Sequence, residues 1–167
     1  FHPNIYTNSK IFAQEGWHYE LLKEEDPVTI KGVVYNEMQG AFSTPEQLLD
    51  RNIQTALFPG HPYGYDSGGI PEEIPSLSYE EFLDFHRRHY HPSNSYIFYY
   101  GDIDIAAELE RLNIYLAGFD YRQPESALPP VARWEEPKEY HLQYPLPEGE
   151  EPDEKDFFSL NYCLGEL

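Results

Sequence analysis

Lys31–Phe42, KGVVYNEMQGAF, is the stretch on which the reading of this chain turns. Val33, Val34, Tyr35 and Met38 are apolar or aromatic, so the segment is expected to be buried, with Glu37 at its centre between Asn36 and Met38. A buried carboxylate needs a partner, because an unpaired charge away from water is strongly destabilising. A metal ion, a protonated neighbour or a cage of backbone N–H groups would each serve, whereas an exposed Glu near a helix start needs none. GVVY has strand propensity, but NEMQGAF leads into a helical pattern, and the expectation is a helix carrying Glu37.

On the N-terminal side, Asn8 or Ser9 can cap a short helix through Ile11, Phe12 and Glu15 that Gly16 ends. Trp17–Leu22 reads as a strand, Lys23–Pro27 as a turn and Val28–Ile30 as the return limb of a hairpin. On the C-terminal side, Thr44, Pro45 and Gln47 form a capping signature for a helix with Leu49, Ile53 and Leu57 on one face. His61–Pro75 is a loop around Ser67-Gly68-Gly69. Paired glycines permit close backbone approach, but neither phosphate-loop nor dinucleotide spacing is present.

Ser78 and Glu81 open a second capped helix to Tyr90, with Phe82, Phe85 and His89 on one face and Pro92 as its stop. Tyr96–Tyr100, YIFYY, reads as a strand buried on both faces. Asp104 caps a helix with Ile105, Leu109, Leu112 and Leu116 in one stripe. Tyr121–Pro137 is rich in proline and reads as a linker. Glu139–Tyr144 and Phe157–Leu164 read as strands flanking the acidic Leu146–Asp156.

With 167 residues, of which 40% are hydrophobic and 25% charged, the chain is in the globular range. Eleven basic against thirty acidic residues leave a net charge of −19. Such a chain repels phosphate backbones and anionic lipid, so nucleic acid and membrane are not expected partners and cationic peptides fit better. No apolar run approaches the length of a membrane span. Cys163 is the single cysteine, which rules out an internal disulfide and fits a reducing compartment. The N-terminus lacks a Met, a basic segment and an apolar segment, and reads as cut from something longer.

Seven histidines raise the question of a metal. His86, His89 and His91 cluster in FHRRHYHP, but Arg87 and Arg88 stand among them and His91 is expected past the helix end. Hydrogen-bonded histidines at a helix C-terminus account for that pattern. His2, His18, His61 and His141 share no ligand spacing. Cys163 reads as a small buried strand residue and Asp104 as a helix cap rather than part of a calcium loop.

Four blocks occur in a telling order: FAQEGWHYEL at 12–21, KGVVYNEMQGAF at 31–42, SGGIPEEIP at 67–75 and FHRRHYHPSNSYIFYYG at 85–101. Together they resemble the presequence-protease branch of the insulinase/pitrilysin-type zinc metallopeptidases, with Gln39 in place of the usual Lys. They cover most of residues 1–101, and the remainder matches only in pattern. The resemblance implies an inverted H-x-x-E-H motif supplying two zinc ligands and a Glu base, with a distant Glu as third ligand. It places that third ligand at Glu37 and a supporting carboxylate at Glu15. Neither H-x-x-E-H nor H-E-x-x-H occurs in this chain.

The implied fold is α+β: a mainly antiparallel sheet with helices packed on one side, an incomplete LuxS/MPP-like module. Residues 1–123 are then the latter part of a first peptidase module, 124–137 a linker and 138–167 the opening hairpin of a second. The implied whole protein cuts unstructured peptides in a closed chamber, in the cytoplasm or an organelle matrix. The chain by itself is expected to be inactive and not to hold zinc tightly. Bare sheet edges would also favour a non-native dimer. A non-catalytic binding or structural module of the same family is the alternative.

Overall fold

The computed structural model describes residues 2–146 and 148–164. Its helices are α1 (Lys10–Glu15), α2 (Val33–Ala41), α3 (Pro45–Leu57), α4 (Tyr79–His89) and α5 (Ile105–Leu116). Strands β1 (His18–Glu20) and β2 (Thr29–Lys31) pair antiparallel, with Tyr19 opposite Ile30. The chain divides into one compact unit from residues 1–12 and 77–127 and another from 13–76 and 128–167. The α+β class holds. The sheet among the described residues, however, is a single two-stranded hairpin and not the dominant layer expected.

In the first unit, α4 starts where the sequence says it should. The Ser78 hydroxyl accepts from the Glu81 N–H, and the Glu81 carboxylate accepts from the Ser78 N–H at 2.8 Å. Those bonds to Ser78 hold the Glu81 carboxyl below its ordinary value. The face that α4 buries differs from the expected one. Leu83 is buried, flanked by half-buried Tyr79 and His86, whereas Phe82 and Phe85 are exposed. The reason lies in two polar tips that find partners in the short turn Asn4–Tyr6. The Tyr79 hydroxyl donates to the Ile5 carbonyl, and the Tyr6 hydroxyl shares a 2.7 Å hydrogen bond with His86 Nδ1. His86 also stacks on Tyr90. Burial pushes the His86 imidazole below its ordinary value of 6.5.

At the other end of α4, the Arg122 guanidinium donates to the carbonyls of Arg87 and Arg88 at 2.9 and 2.8 Å. These are two of the carbonyls that a helix end leaves without an intrahelical partner. Helix α5 is capped by Asp104, which accepts from the Ala107 N–H.

In the second unit, α3 carries the full Thr44/Gln47 capping box with Pro45 in its first turn, and Leu49, Ile53 and Leu57 are all half-buried. The Trp134 indole N–H donates to the Leu57 carbonyl at 3.3 Å, anchoring the proline-rich segment expected as a linker. His61 is 4% exposed, and its Nδ1 accepts from the Tyr63 N–H as the cap of a short turn.

Three strands expected from sequence do not form. Tyr96–Tyr100, Glu139–Tyr144 and Phe157–Leu164 have no ladder partner among the described residues. Tyr96, Phe98 and Tyr100 are 106%, 86% and 92% exposed, so YIFYY is not buried on both faces. A strand needs a neighbour to satisfy its N–H and C=O groups, and apolar side chains alone do not provide one. Cys163, expected to be buried, is exposed for the same reason. Among the described residues the buried hydrophobic side chains are Ile5, Ile74 and Leu83, a small core for the apolar content present.

Candidate functional site

The hairpin β1–β2 carries the chain from α1 back to α2, so Glu15 and Glu37 arrive on adjoining segments of the second unit. Glu15 is the last residue of α1, exposed, and its carboxylate accepts from Gln14 Nε2 at 3.1 Å. The Gly16 carbonyl then accepts from the Tyr35 N–H at 3.3 Å, tying the end of α1 to the first turn of α2.

A second feature makes this crossing close. Gly32, at the N-cap of α2, has φ 158° and ψ 153°, and a Cβ built there would lie 2.1 Å from the Gly16 carbonyl oxygen. Both the contact and the backbone conformation call for glycine.

Helix α2 is the helix expected at Glu37, but the expected burial of the segment is overturned. Val34, Tyr35, Met38, Ala41 and Phe42 are half-buried, a stripe with helical spacing. Val33, Asn36, Glu37, Gln39 and Gly40 are exposed. Glu37 therefore stands on the outward face of a nine-residue amphipathic helix, where its charge is solvated and needs no internal partner. The apolar residues that signalled burial all belong to the helix, but the stripe faces the unit and the carboxylate faces away.

Met38, on the inner stripe, meets the glycine-rich loop. A Cβ on Gly68 would fall 2.1 Å from Met38 Sδ and 3.1 Å from its Cγ. Asp66 folds that loop by accepting from the Gly68 N–H at 3.1 Å.

As a metal centre, this arrangement supplies carboxylate oxygens, donors that zinc accepts. Among the described residues no three His, Cys, Asp or Glu side chains converge to hold an ion. The histidine cluster does other work. His86 bonds Tyr6, His89 packs on Phe85, and His91 lies past the helix end, accepting from the Ser93 N–H. Sequence reasoning missed the Gly16–Gly32 crossing and the Gly68–Met38 contact. Their one sequence signal was the glycines themselves.

Comparison with known proteins fixes the lineage of this arrangement. Residues 76–166 match the family described as the Peptidase M16 inactive domain. The chain belongs to the M16, insulinase-type peptidases. Within them it is presequence-protease-like. It is 46% identical over 166 residues to the protein HypA of Clostridium perfringens. It is 40% identical over 168 residues to presequence protease 1, chloroplastic/mitochondrial, of Arabidopsis thaliana, and 37% over 161 residues to the mitochondrial presequence protease of Xenopus laevis. These alignments take in 93–99% of this M16 chain, so the likeness runs through the C-terminal third as well, and not only through the blocks up to Gly101. The chain spans 16–17% of the length of these relatives. Among the described residues no helix is long and apolar enough to cross a membrane.

Proposed function

We propose that this chain is one part of a zinc-dependent metalloendopeptidase that degrades unstructured peptides inside a closed chamber. The observation that carries the reading is its 46% identity over nearly its whole length to a protein six times as long, alongside relatives named presequence protease. In this reading Glu37 is the third zinc ligand and Glu15 a carboxylate that supports the site electrostatically. The outward stance of Glu37 leaves it within reach of ligands from another part of the protein. Zinc held by three protein ligands keeps an open position for water and lowers that water's pKa to about 7. This chain's share is to present one carboxylate, hold it on a helix and back it with negative charge.

The remaining pieces of the proposal concern the whole protein. Residues 1–123 belong to a first LuxS/MPP-like module, 124–137 to a linker and 138–167 to a segment that forms the opening hairpin of a second only with the rest of the protein present. The exposed YIFYY segment then pairs with strands supplied by the rest of the protein, and its partners are that remaining chain and peptide substrate. In this chain by itself the unpaired YIFYY segment favours a non-native dimer, which light scattering detects. We propose a cytoplasmic location, as the chain's likeness to a bacterial protein allows. Relatives named mitochondrial or chloroplastic make an organelle matrix the alternative.

The test has two arms. This chain, given zinc and an unstructured peptide, shows no chelator-sensitive cleavage. The full-length protein shows such cleavage and loses it on Glu37→Gln. Cleavage by the chain alone, or full activity of the variant, refutes the reading. A second reading, a non-catalytic binding or structural module, draws on the description of the matched region as an inactive domain. An H-x-x-E-H motif elsewhere in the full-length sequence decides for the peptidase, and its loss for the module.

A further inference from the structure

The glycine-rich loop Ser67–Gly69 has no role in the proposed chemistry, and α2 has little to hold it. The helix has nine residues and buries none of them fully. Its inner stripe is only half-covered, so few contacts decide how it is rotated about its own axis. That rotation sets where Glu37 points, because Met38 and Glu37 are adjacent on the helix and about 100° apart around it.

Besides the Arg51 guanidinium over the Phe42 ring at the far end, two contacts oppose rotation among the described residues. At the N-terminal end, Gly16 and Gly32 cross at backbone distance and the Tyr35 N–H donates to the Gly16 carbonyl. One turn further on, the Met38 thioether sits in the notch left by the absent side chain of Gly68. Methionine is adaptable, and a clash with the tip alone would be relieved by bending the tail. Here Sδ and Cε lie 2.1 and 2.6 Å from the position a Cβ would take and Cγ lies 3.1 Å away, so the thioether tail would have to swing out of the notch and Cγ would have to shift with it.

We infer that Gly68 is a positioning residue for Glu37: its notch locks Met38, and through Met38 the rotational setting of α2. The inference rests on Glu37 being a zinc ligand for its functional consequence, but not for the contact itself.

The experiment separates the two. In a Cys163→Ser background, spin labels at Glu37→Cys and Asp50→Cys report the distance from the outward face of α2 to α3. Gly68→Ala shifts or broadens that distance distribution, and Met38→Ala on top of Gly68→Ala returns it toward the starting one by giving the new methyl room. Should Gly68→Ala fail to fold, Met38→Ala alone, which leaves a void and no clash, still broadens the distribution. An unchanged distribution in the folded variants overturns the inference. In the full-length protein, Gly68→Ala lowers zinc affinity about 10-fold or more, the range for residues that orient a ligand, and the double variant recovers it. Undiminished zinc affinity in the folded Gly68→Ala protein also overturns the positioning role. If Glu37→Gln leaves zinc affinity intact, the ligand assignment fails instead, and the distance measurement alone judges the brace.

Discussion

Replacing Gly32 by Ala tests the close backbone approach of Gly32, just before α2, to Gly16, just past α1. The new methyl would lie 2.1 Å from the Gly16 carbonyl oxygen and 2.7 Å from both the Gly16 carbonyl carbon and Trp17 Cα. All three are backbone atoms, so no side-chain rotation relieves the clash. Three costs follow. A non-glycine residue in this conformation costs about 1–3 kcal/mol. Overpacking costs about 1–3 kcal/mol. Losing the bond from the Tyr35 N–H to the Gly16 carbonyl costs about 1 kcal/mol. They relieve one another in part, so the expected loss is about 3 kcal/mol, a large fraction of the 5–15 kcal/mol typical of a domain. Chemical denaturation followed by circular dichroism measures it. Gly40→Ala is the internal control. Gly40 lies in the same helix with nothing within 4 Å of its would-be Cβ, so alanine there is expected to stabilise by about 0.5–1 kcal/mol. Gly32→Ala costing under about 1 kcal/mol, or both variants behaving alike, would show that the crossing does not constrain the chain.

Three further outcomes follow from the first unit. Arg122→Ala removes two donors from the terminal carbonyls of α4 and should cost about 1–3 kcal/mol, with Lys restoring only part; denaturation curves decide. Ser78→Ala removes the cap of α4 and should cost about 1 kcal/mol, with the loss seen as faster amide exchange in its first turn. Acid should destabilise this unit in two stages. The folded unit favours neutral His86, so the unfolded chain takes up that proton first, and stability declines as pH falls below about 6.5. The Glu81 carboxyl is held low by Ser78, so its contribution is present above its ordinary value of 4.5 and is lost as pH falls through the lower folded one. Phe in place of His86 should flatten the first stage, and Gln in place of Glu81 the second, in a pH series of thermal midpoints.

Local signals in this sequence were legible wherever the physics is local. Thr44 with Gln47, Ser78 with Glu81, and Asp104 each cap the helix they were expected to cap, because a cap involves residues three apart. The hairpin of β1 and β2 and the helical state of α2 were readable for the same reason. What failed depended on distant partners. YIFYY has the composition of an inner strand, yet a strand is made by its neighbours, and among the described residues it has none. The buried face of α4 was missed because Tyr79 and His86 are drawn inward by their hydroxyl and ring nitrogen, which hydrophobicity ranks as outward. Glu37 was placed on the right element but given the wrong surroundings. Of the apolar run that signalled burial, Val34, Tyr35 and Met38 form the inner stripe of its own helix and Val33 is exposed. The glycines at positions 32 and 68 were visible as letters, but what they touch comes from elsewhere in the chain.

The most direct measurement is the zinc content of the purified full-length protein with Glu37→Gln, read by elemental analysis after dialysis against a weak chelator. About one zinc per catalytic unit is expected in the unsubstituted protein, and its loss from the variant, with folding unchanged. A variant that keeps its full zinc complement contradicts the assignment of Glu37 as a metal ligand.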